Sequence, residues 1–288
     1  MAGPISMRIL THNIRYAIEE PEKGEESWNI RCPRLCSELV FNSMNNVATF
    51  ICLQEVLLLQ LVDIQVALNR SDESADDWHS VGVGREDGKH SGEYSPIFYR
   101  ASIWSLVDWS TVWLSETPDR PSRGWDAAST RIMTIAEFKH RETHQTVVIM
   151  NTHLDDQGAS ARAESARLIL RYVGKLEQGD EDSIRPRPVI LAGDFNSPPE
   201  DVAYKIMTDG NSGMVEASTK IDKSKRYGHK MTFTSFDRRE TPSRIDFVFC
   251  NKDSGVSVGT YAVLENQFDD GVFLSDHRAV VIDLDLSH

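Results

Sequence analysis

The sequence predicts a mixed α/β fold built on packed β-sheets, and three observations lead there. Short apolar runs of strand length recur along the chain, from residues 5–14 to residues 279–284. Only a few segments carry the apolar stripe of a one-faced helix, and they are spaced between the strands. No repeat or low-complexity stretch interrupts the 288 residues, and no polar segment is long enough to be a convincing domain linker.

Taken in order, residues 5–14 alternate and then meet polar Asn13, which suits a strand with a functional residue at its tip. Trp28–Met44 reads as a helix, with Ile30, Leu35, Leu39 and Val40 on a rough stripe. Residues 47–53 are a β-rich run that stops at Gln54-Glu55, and a helix follows through Leu57, Leu61, Ile64 and Leu68. Further strands are expected at 78–84, 93–99, 105–114, 131–138, 146–152, 188–192, 245–250, 257–264 and 279–284. Ala159–Leu176 places Leu168, Ile169, Tyr172, Val173 and Leu176 on one helical face. A last helix is expected over 199–208, opening on Pro199 with Glu200 and Asp201 near its positive dipole end. The polar stretch 115–129 and the lysine-rich stretch 220–230 read as surface loops.

Bulk composition narrows the function. With 40% hydrophobic and 26% charged residues the chain has ample material for a core. Its formal charge of −13 argues against a dedicated non-specific nucleic-acid binder, whose affinity comes mostly from neutralising phosphates. The start of the chain lacks the basic and long apolar segments of a secretory leader, and no run reaches the length of a membrane span. Cys32 and Cys36 are spaced C-x3-C without a second ligand pair at zinc spacing, so all four cysteines read as reduced thiols. The expectation is a cytoplasmic protein, with the nucleus left open.

One pattern carries the chemistry. Polar residues stand directly after short apolar runs in RILTHN (8–13), FICLQE (50–55), VVIMNTH (147–153), VILAGDFN (189–196) and RIDFVF (244–249), and SDH follows at 275–277. A strand that buries its apolar residues and ends in Asn, Glu, His or Asp delivers that side chain to a sheet edge. Several such ends can meet although they are distant in sequence. Glu55, Asp194, Asp246 and Asp276 would form a hard-oxygen cluster suited to Mg²⁺ or Mn²⁺. His153 and His277 could supply donors to developing negative charge, or handle protons. Taken singly, a strand-end carboxylate is more often a solvated cap and GDFN a turn. Their joint order is what carries weight.

That order resembles the endonuclease/exonuclease/phosphatase superfamily from Ile9 to Val281, through QE at 54–55, NTHLD at 151–155, GDFNS at 193–197 and SDH at 275–277. Within it, NTHLD, GDFNS and WLSETPDRPSRGWDA at 113–127 look most like a branch near the deadenylases. The resemblance implies one domain over residues 6–286, folded as a four-layer α/β/β/α sandwich with two mostly antiparallel sheets face to face. It implies a divalent-metal-dependent phosphoester hydrolase acting by in-line attack of water. By the same resemblance Glu55 is the principal metal ligand, with Asn13 beside it and Asp276 as a second ligand. Asp194 orients or deprotonates the water, Asn196 hydrogen-bonds a phosphoryl oxygen and His277 contacts the scissile phosphate. Asp246 fixes the His277 tautomer, and His153 is the other phosphate-side histidine. Glu93, seven residues before Arg100, has the spacing of a histidine-supporting Glu and is expected to bond His153.

Arg131, Asp155 and Trp125 are further candidates for substrate contact: Arg131 opens a strand, Asp155 follows His153, and Trp125 lies in the polar loop. Strand alternation should send Asp155 and its neighbour Asp156 in opposite directions. By branch resemblance the first substrate expectation is RNA, a single strand or a nucleotide. A sugar, inositol or lipid phosphoester is the alternative, which the acidic charge favours. A non-catalytic binding module on the same scaffold is the reading of another class. No protein partner is implied.

Overall fold

The computed structural model describes residues 4–70, 76–178, 185–237 and 240–287. In chain order it contains β1 (Ile5–Asn13), α1 (Trp28–Met44), β2 (Thr49–Gln54), α2 (Leu58–Arg70), β3 (Trp78–Val81), β4 (Ile97–Arg100), β5 (Trp104–Trp113), β6 (Ile132–His140) and β7 (Thr146–His153). There follow α3 (Ala159–Leu176), β8 (Val189–Asp194), α4 (Val202–Thr208), β9 (Met214–Glu216), β10 (Arg226–Gly228), β11 (Asp246–Asn251), β12 (Val256–Val263) and β13 (Val280–Leu286).

The strands form two sheets, ordered β10-β12-β13-β1-β2-β4-β3 and β5-β6-β7-β8-β11-β9. Most neighbours are antiparallel. The pairs β1–β2, β7–β8 and β10–β12 are parallel. Alternation along the central strands divides the apolar residues among three interfaces. Ile9, Phe50, Cys52, Ile149, Ile190, Val248 and Ile282 fill the space between the sheets. Their neighbours Leu10, Ile51, Leu53 and Val281 face outward to Leu35 and Leu39 of α1 and Ile64 of α2. On the other sheet Val148, Met150, Leu191 and Phe249 face Leu168, Ile169 and Val173 of α3 and Met207 of α4. Three cores between four layers make the α/β/β/α sandwich. A strand buried on both faces reads as a near-continuous apolar run, which is what these segments show.

Some expected boundaries move, for local reasons. The strand expected from residue 93 begins at Ile97, because Pro96 has no N–H to donate; its carbonyl instead accepts from Leu53 N and Asn151 Nδ2. The last helix begins at Val202, after Pro198-Pro199, and Asp201 caps it by accepting from Val202 N at 2.7 Å. Part of the expected loop at 220–230 is β10, an edge strand whose residues are exposed.

The candidate active site

Strands β1, β2, β7 and β8 run in the same sense within their parallel pairs, so Asn13, Glu55, His153 and Asp194 arrive at one end of the sandwich. β11 runs antiparallel to β8 and starts there, and His277 lies just before β13. Register does the fine placement: His153 pairs with Asp194 across β7–β8, and Asp246 pairs with Asp194 across β8–β11. Gly193 permits the close approach. Its φ is +150°, and a Cβ there would sit 2.0 Å from the Thr152 carbonyl oxygen. A polar bridge ties the two sheets behind the site. Gln54 Nε2 donates to Thr11 Oγ1 and Asn151 Oδ1, and Asn151 Nδ2 donates to Leu53 O and Pro96 O. Two site residues, Glu55 and Asn196, hold left-handed backbone (φ +58° and +46°), a conformation that costs non-glycine residues energy and tends to gather at functional sites.

Asn13 sits at the centre. Its Nδ2 donates to Glu55 Oε1 and to Asp194 Oδ2, both at 3.0 Å, while Glu55 Oε2 accepts from Tyr16 N at 3.2 Å. Glu55 lies near Asp276; burial first, then that second carboxylate, raises its pKa. Crowded hard-oxygen donors of this kind are what a divalent cation would neutralise, so Asn13, Glu55 and Asp276 fit a Mg²⁺-type ion. Asp194 accepts from Asn196 N at 2.8 Å as well as from Asn13, and is raised to about 6 by burial and by Asp246.

Two histidines flank Asp194 Oδ2, with Nε2 of His153 at 3.5 Å and Nε2 of His277 at 3.6 Å. His277 Nδ1 donates to Asp246 Oδ2 at 2.9 Å, and Phe233 packs edge-on against the ring. Burial alone would lower the His277 pKa; Asp246 and then Asp194 drive it well above the usual value. The ligand atoms of Asp194, Asp246 and His277 all lie within 4.8 Å of one another, a spacing that can also hold a metal. A charged imidazole has no lone pair to give, so here the three form a carboxylate–imidazolium–carboxylate chain. His153 is the opposite case. Burial, then Arg131 and Arg85, push its pKa well down, so it is neutral, and Nε2 accepts from Asn196 Nδ2 at 3.0 Å.

The structure therefore brings together Asn13, Glu55, His153, Asp194, Asn196, Asp246, Asp276 and His277. Several expected contacts change. Glu93 lines the same small cavity as His153 and Arg131, but its carboxylate accepts from Arg85 Nη1 at 2.8 Å; His153 Nδ1 has no hydrogen-bond partner among the described residues. Burial and Glu55 raise Glu93 to about 7. Asn196 spends its amide hydrogens on His153 and the Leu154 carbonyl, which makes it a support for the histidine. Asp155 is no substrate contact. It is 1% exposed and accepts from the backbone N–H groups of Ala128, Ser129, Gln157 and Gly158. Trp125 is half-buried and packs against the core beneath α3. Arg131 borders the site but is engaged by Asp156 at 2.7 Å and Asp155 at 3.4 Å. Arg85, Phe233 and the pairing of buried His12 with Glu38 were not foreseen from the sequence. His12 Nε2 donates to the His277 carbonyl at 3.1 Å and Nδ1 lies 3.0 Å from Glu38.

Comparison with known proteins gives a consistent picture. A sequence model of the Endonuclease/Exonuclease/phosphatase family matches residues 27–277. A family protein of Bacteroides thetaiotaomicron is 31% identical, with all of both chains covered and a TM-score of 0.85. A mannosyl-6-phosphatase of the same organism is 31% identical over 96% of this chain and 99% of that one, with a TM-score of 0.82. The CCR4-Not complex 3′-5′-exoribonuclease subunit Ccr4 of Kluyveromyces lactis is 26% identical over 229 residues, 70% of this chain and 27% of that protein. The chain thus spans under a third of the length of the curated relatives it matches. Among the described residues no helix is long and apolar enough to cross a membrane.

Proposed function

The chain belongs to the endonuclease/exonuclease/phosphatase family and is a phosphoesterase, and from that premise we propose that it hydrolyses the phosphoester of a small, hydroxyl-rich alcohol of the sugar type, with Mg²⁺ or Mn²⁺ as cofactor. One observation carries the substrate class. A shallow cleft of about 670 Å³ is lined by Tyr16, whose N–H donates to Glu55, and by Glu19, Glu20, Arg85 and Glu93. Carboxylates accept from hydroxyl groups, Arg85 donates to them, and the Tyr16 ring offers an apolar face. The same carboxylates, in a chain of net charge −13, repel a polyphosphate strand. Likeness to a mannosyl-6-phosphatase over nearly both chains supports this reading. RNA or a nucleotide is the second reading, supported by the likeness to an exoribonuclease subunit.

In this mechanism Glu55, Asn13 and Asp276 would hold the cation, which would supply Lewis-acid polarisation of a phosphoryl oxygen and charge stabilisation of the leaving alkoxide. Asp194, fixed by Asn13 and by Asn196 N, orients the attacking water and takes its proton. His277 keeps an N–H on Nε2 for the phosphoryl group, because Asp246 holds the other nitrogen and Asp194 Oδ2 is too far for a hydrogen bond. His153, neutral and held by Asn196, borders the same oxygen of Asp194 without adding a second charge.

The test is phosphate release by Mg²⁺- or Mn²⁺-loaded protein from hexose phosphates, set against product release from a short oligoribonucleotide. A preference for the sugar phosphate of at least about tenfold in kcat/KM is expected, the scale on which matched hydroxyl contacts discriminate. Dominant release of mononucleotides from the oligoribonucleotide would overturn the substrate class and leave the phosphoesterase chemistry standing.

A further inference from the structure

Arg31 carries a full charge into the core. It lies on α1 and is fully buried, so each guanidinium N–H needs an acceptor inside the fold. Four backbone carbonyls serve. Nε donates to Glu26 O at 3.0 Å, Nη1 to both Ile14 O and Leu274 O at 2.8 Å, and Nη2 to Arg15 O at 3.0 Å. Glu25 Oε1 lies 3.8 Å from Nη2, and the guanidinium sits 5.5 Å from the centroid of the Trp28 ring. Three of the four carbonyls belong to segments that carry the site: residues 14 and 15 follow Asn13, and Leu274 precedes Ser275, Asp276 and His277.

The geometry of the peptide unit turns this clamp toward the metal site. In a trans peptide the C=O of one residue and the N–H of the next point in opposite directions. Arg31 Nη1 holds the Ile14 carbonyl, and the N–H of the same unit, Arg15 N, donates to Asn13 Oδ1 at 3.0 Å. Nη2 holds the Arg15 carbonyl, and the N–H of that unit, Tyr16 N, donates to Glu55 Oε2 at 3.2 Å. Arg15, between the two units, has left-handed backbone (φ +57°), a conformation of the kind that turns successive N–H groups toward one anionic site. A cation at one end of a hydrogen-bonded peptide strengthens the donor at the other. Leu274 O ties in the segment of the third ligand, where Ser275 Oγ donates to Asn13 O at 2.6 Å. Gln60 Nε2 of α2 adds a second donor to Arg15 O at 3.0 Å.

We propose that Arg31 is the positioning residue of the metal site: it fixes the peptide units 14–15 and 15–16 and the segment before Asp276, so that Asn13, Glu55 and Asp276 stand in place before a cation arrives. The proposal rests on the reading of those three residues as metal ligands. Glu55 and Asp276 are adjacent carboxylates that repel each other when no cation lies between them. Side chains free to turn apart would have to be gathered again at each binding event, and a fixed backbone removes that cost. Lysine could not replace the arginine. Its ammonium offers three donors around a point, whereas the four carbonyls here are arranged about a planar fork.

The experiment compares wild type with Arg31→Lys, which keeps the charge and loses the fork. Mn²⁺ alone is titrated into each metal-free protein, well below the midpoint of its melting curve, and free Mn²⁺ is read by electron paramagnetic resonance. The dissociation constant of Arg31→Lys should rise by about tenfold or more, the scale on which groups behind metal ligands act. With bis(p-nitrophenyl) phosphate, the Mn²⁺ concentration for half-maximal turnover should rise in step. KM at saturating Mn²⁺ should stay within about twofold, because a residue that only places the metal ligands touches no substrate. A variant that melts lower but binds Mn²⁺ as wild type does would make Arg31 a packing residue and overturn the proposal. So would a defect confined to KM. Should Arg31→Lys fail to fold, wild type decides through amide exchange followed by NMR without metal. The Arg15 and Tyr16 N–H groups lie in a half-buried loop, and their exchange should be slowed on the order of 10²-fold relative to unstructured chain. Exchange at the unstructured rate would mean that the metal, not Arg31, orders the site, and the proposal would fall. Wild type that binds no Mn²⁺ would sink the metal reading of Asn13, Glu55 and Asp276, while the exchange arm still judges the clamp.

Discussion

Replacing Asp155 with Asn tests whether the loop that ends at Ala128-Ser129 and the turn into α3 hang on one buried carboxylate. Asp155 accepts from Ala128 N and Ser129 N at 3.0 Å, Gln157 N at 3.1 Å and Gly158 N at 2.7 Å, with Arg131 Nε at 3.4 Å. Burial would raise its pKa, but the bonds from Gly158, Ala128 and Ser129 and the Arg131 charge bring it down from 3.8 to about 2. A folded pKa below the unfolded one means stability that is fully present above pH 3.8 and lost as pH falls through 2. At 1.36 kcal/mol per unit, that ionisation contributes about 2 kcal/mol at neutral pH, of which about half remains at pH 3. Asn also turns an N–H₂ toward N–H donors, and each unsatisfied donor adds about 1–3 kcal/mol. Asp155→Asn should therefore lose roughly 3–5 kcal/mol in urea unfolding at pH 7. The gap to wild type should hold from pH 8 to 5 and narrow below pH 4. A gap under about 1 kcal/mol at pH 7, far below those sums, or one that stays flat to acid pH, would refute the account.

Other outcomes follow from the same geometry. Chelation should abolish phosphoester hydrolysis and added Mg²⁺ or Mn²⁺ should restore it; full turnover in chelator would remove Asn13, Glu55 and Asp276 from a metal role. Asp194→Asn keeps the shape but not the charge that orients water, so single-turnover hydrolysis should fall by at least about 10²-fold. In chelator the same variant should melt no lower than wild type, because Asp194 is a buried carboxylate raised to about 6 beside Asp246. A collapsed melting curve would make Asp194 structural instead. Gly193→Ala should cost at least about 2 kcal/mol, since its Cβ would meet the Thr152 carbonyl at 2.0 Å, and wild-type melting would contradict the β7–β8 approach.

The sandwich and most of the site were legible because both rest on local pattern. Apolar runs ending in Asn13, Glu55, His153 and Asp194 are strands whose tips share an edge, and register follows from which face each residue buries. Alternation also separated Asp155, which is buried, from Asp156, whose side chain is 49% exposed. What stayed hidden depends on tertiary approach. Arg85 meets Glu93 only when the turn at 84–92 folds back, so spacing to Arg100 pointed Glu93 at the wrong partner. The His12–Glu38 pair joins β1 to α1, and nothing near either residue in sequence announces the other. Asp155 looked available for substrate because it closely follows His153; four backbone donors drawn from two segments cannot be counted in a sequence.

The two histidines show how residues behind a site decide its charge. His153 and His277 approach the same Asp194 oxygen at nearly equal distance, and both are buried. What differs is the far side of each ring. Behind His277 stands Asp246, buried and bonded to Nδ1 at 2.9 Å, so the ring carries a proton on each nitrogen. Toward His153 the neighbouring charges are Arg131 and Arg85, so the ring is neutral and its Nε2 lone pair goes to Asn196. In the proposed mechanism a phosphoryl group between them would meet one cationic N–H donor, and the charge on Asp194 is offset from one side only. Glu93 takes part in this asymmetry without touching His153: by pairing with Arg85 it holds that guanidinium beside the cavity that His153 also lines. Placement of charge for phosphoester chemistry is therefore written in Asp246, Arg131 and the Arg85–Glu93 pair as much as in the histidines themselves.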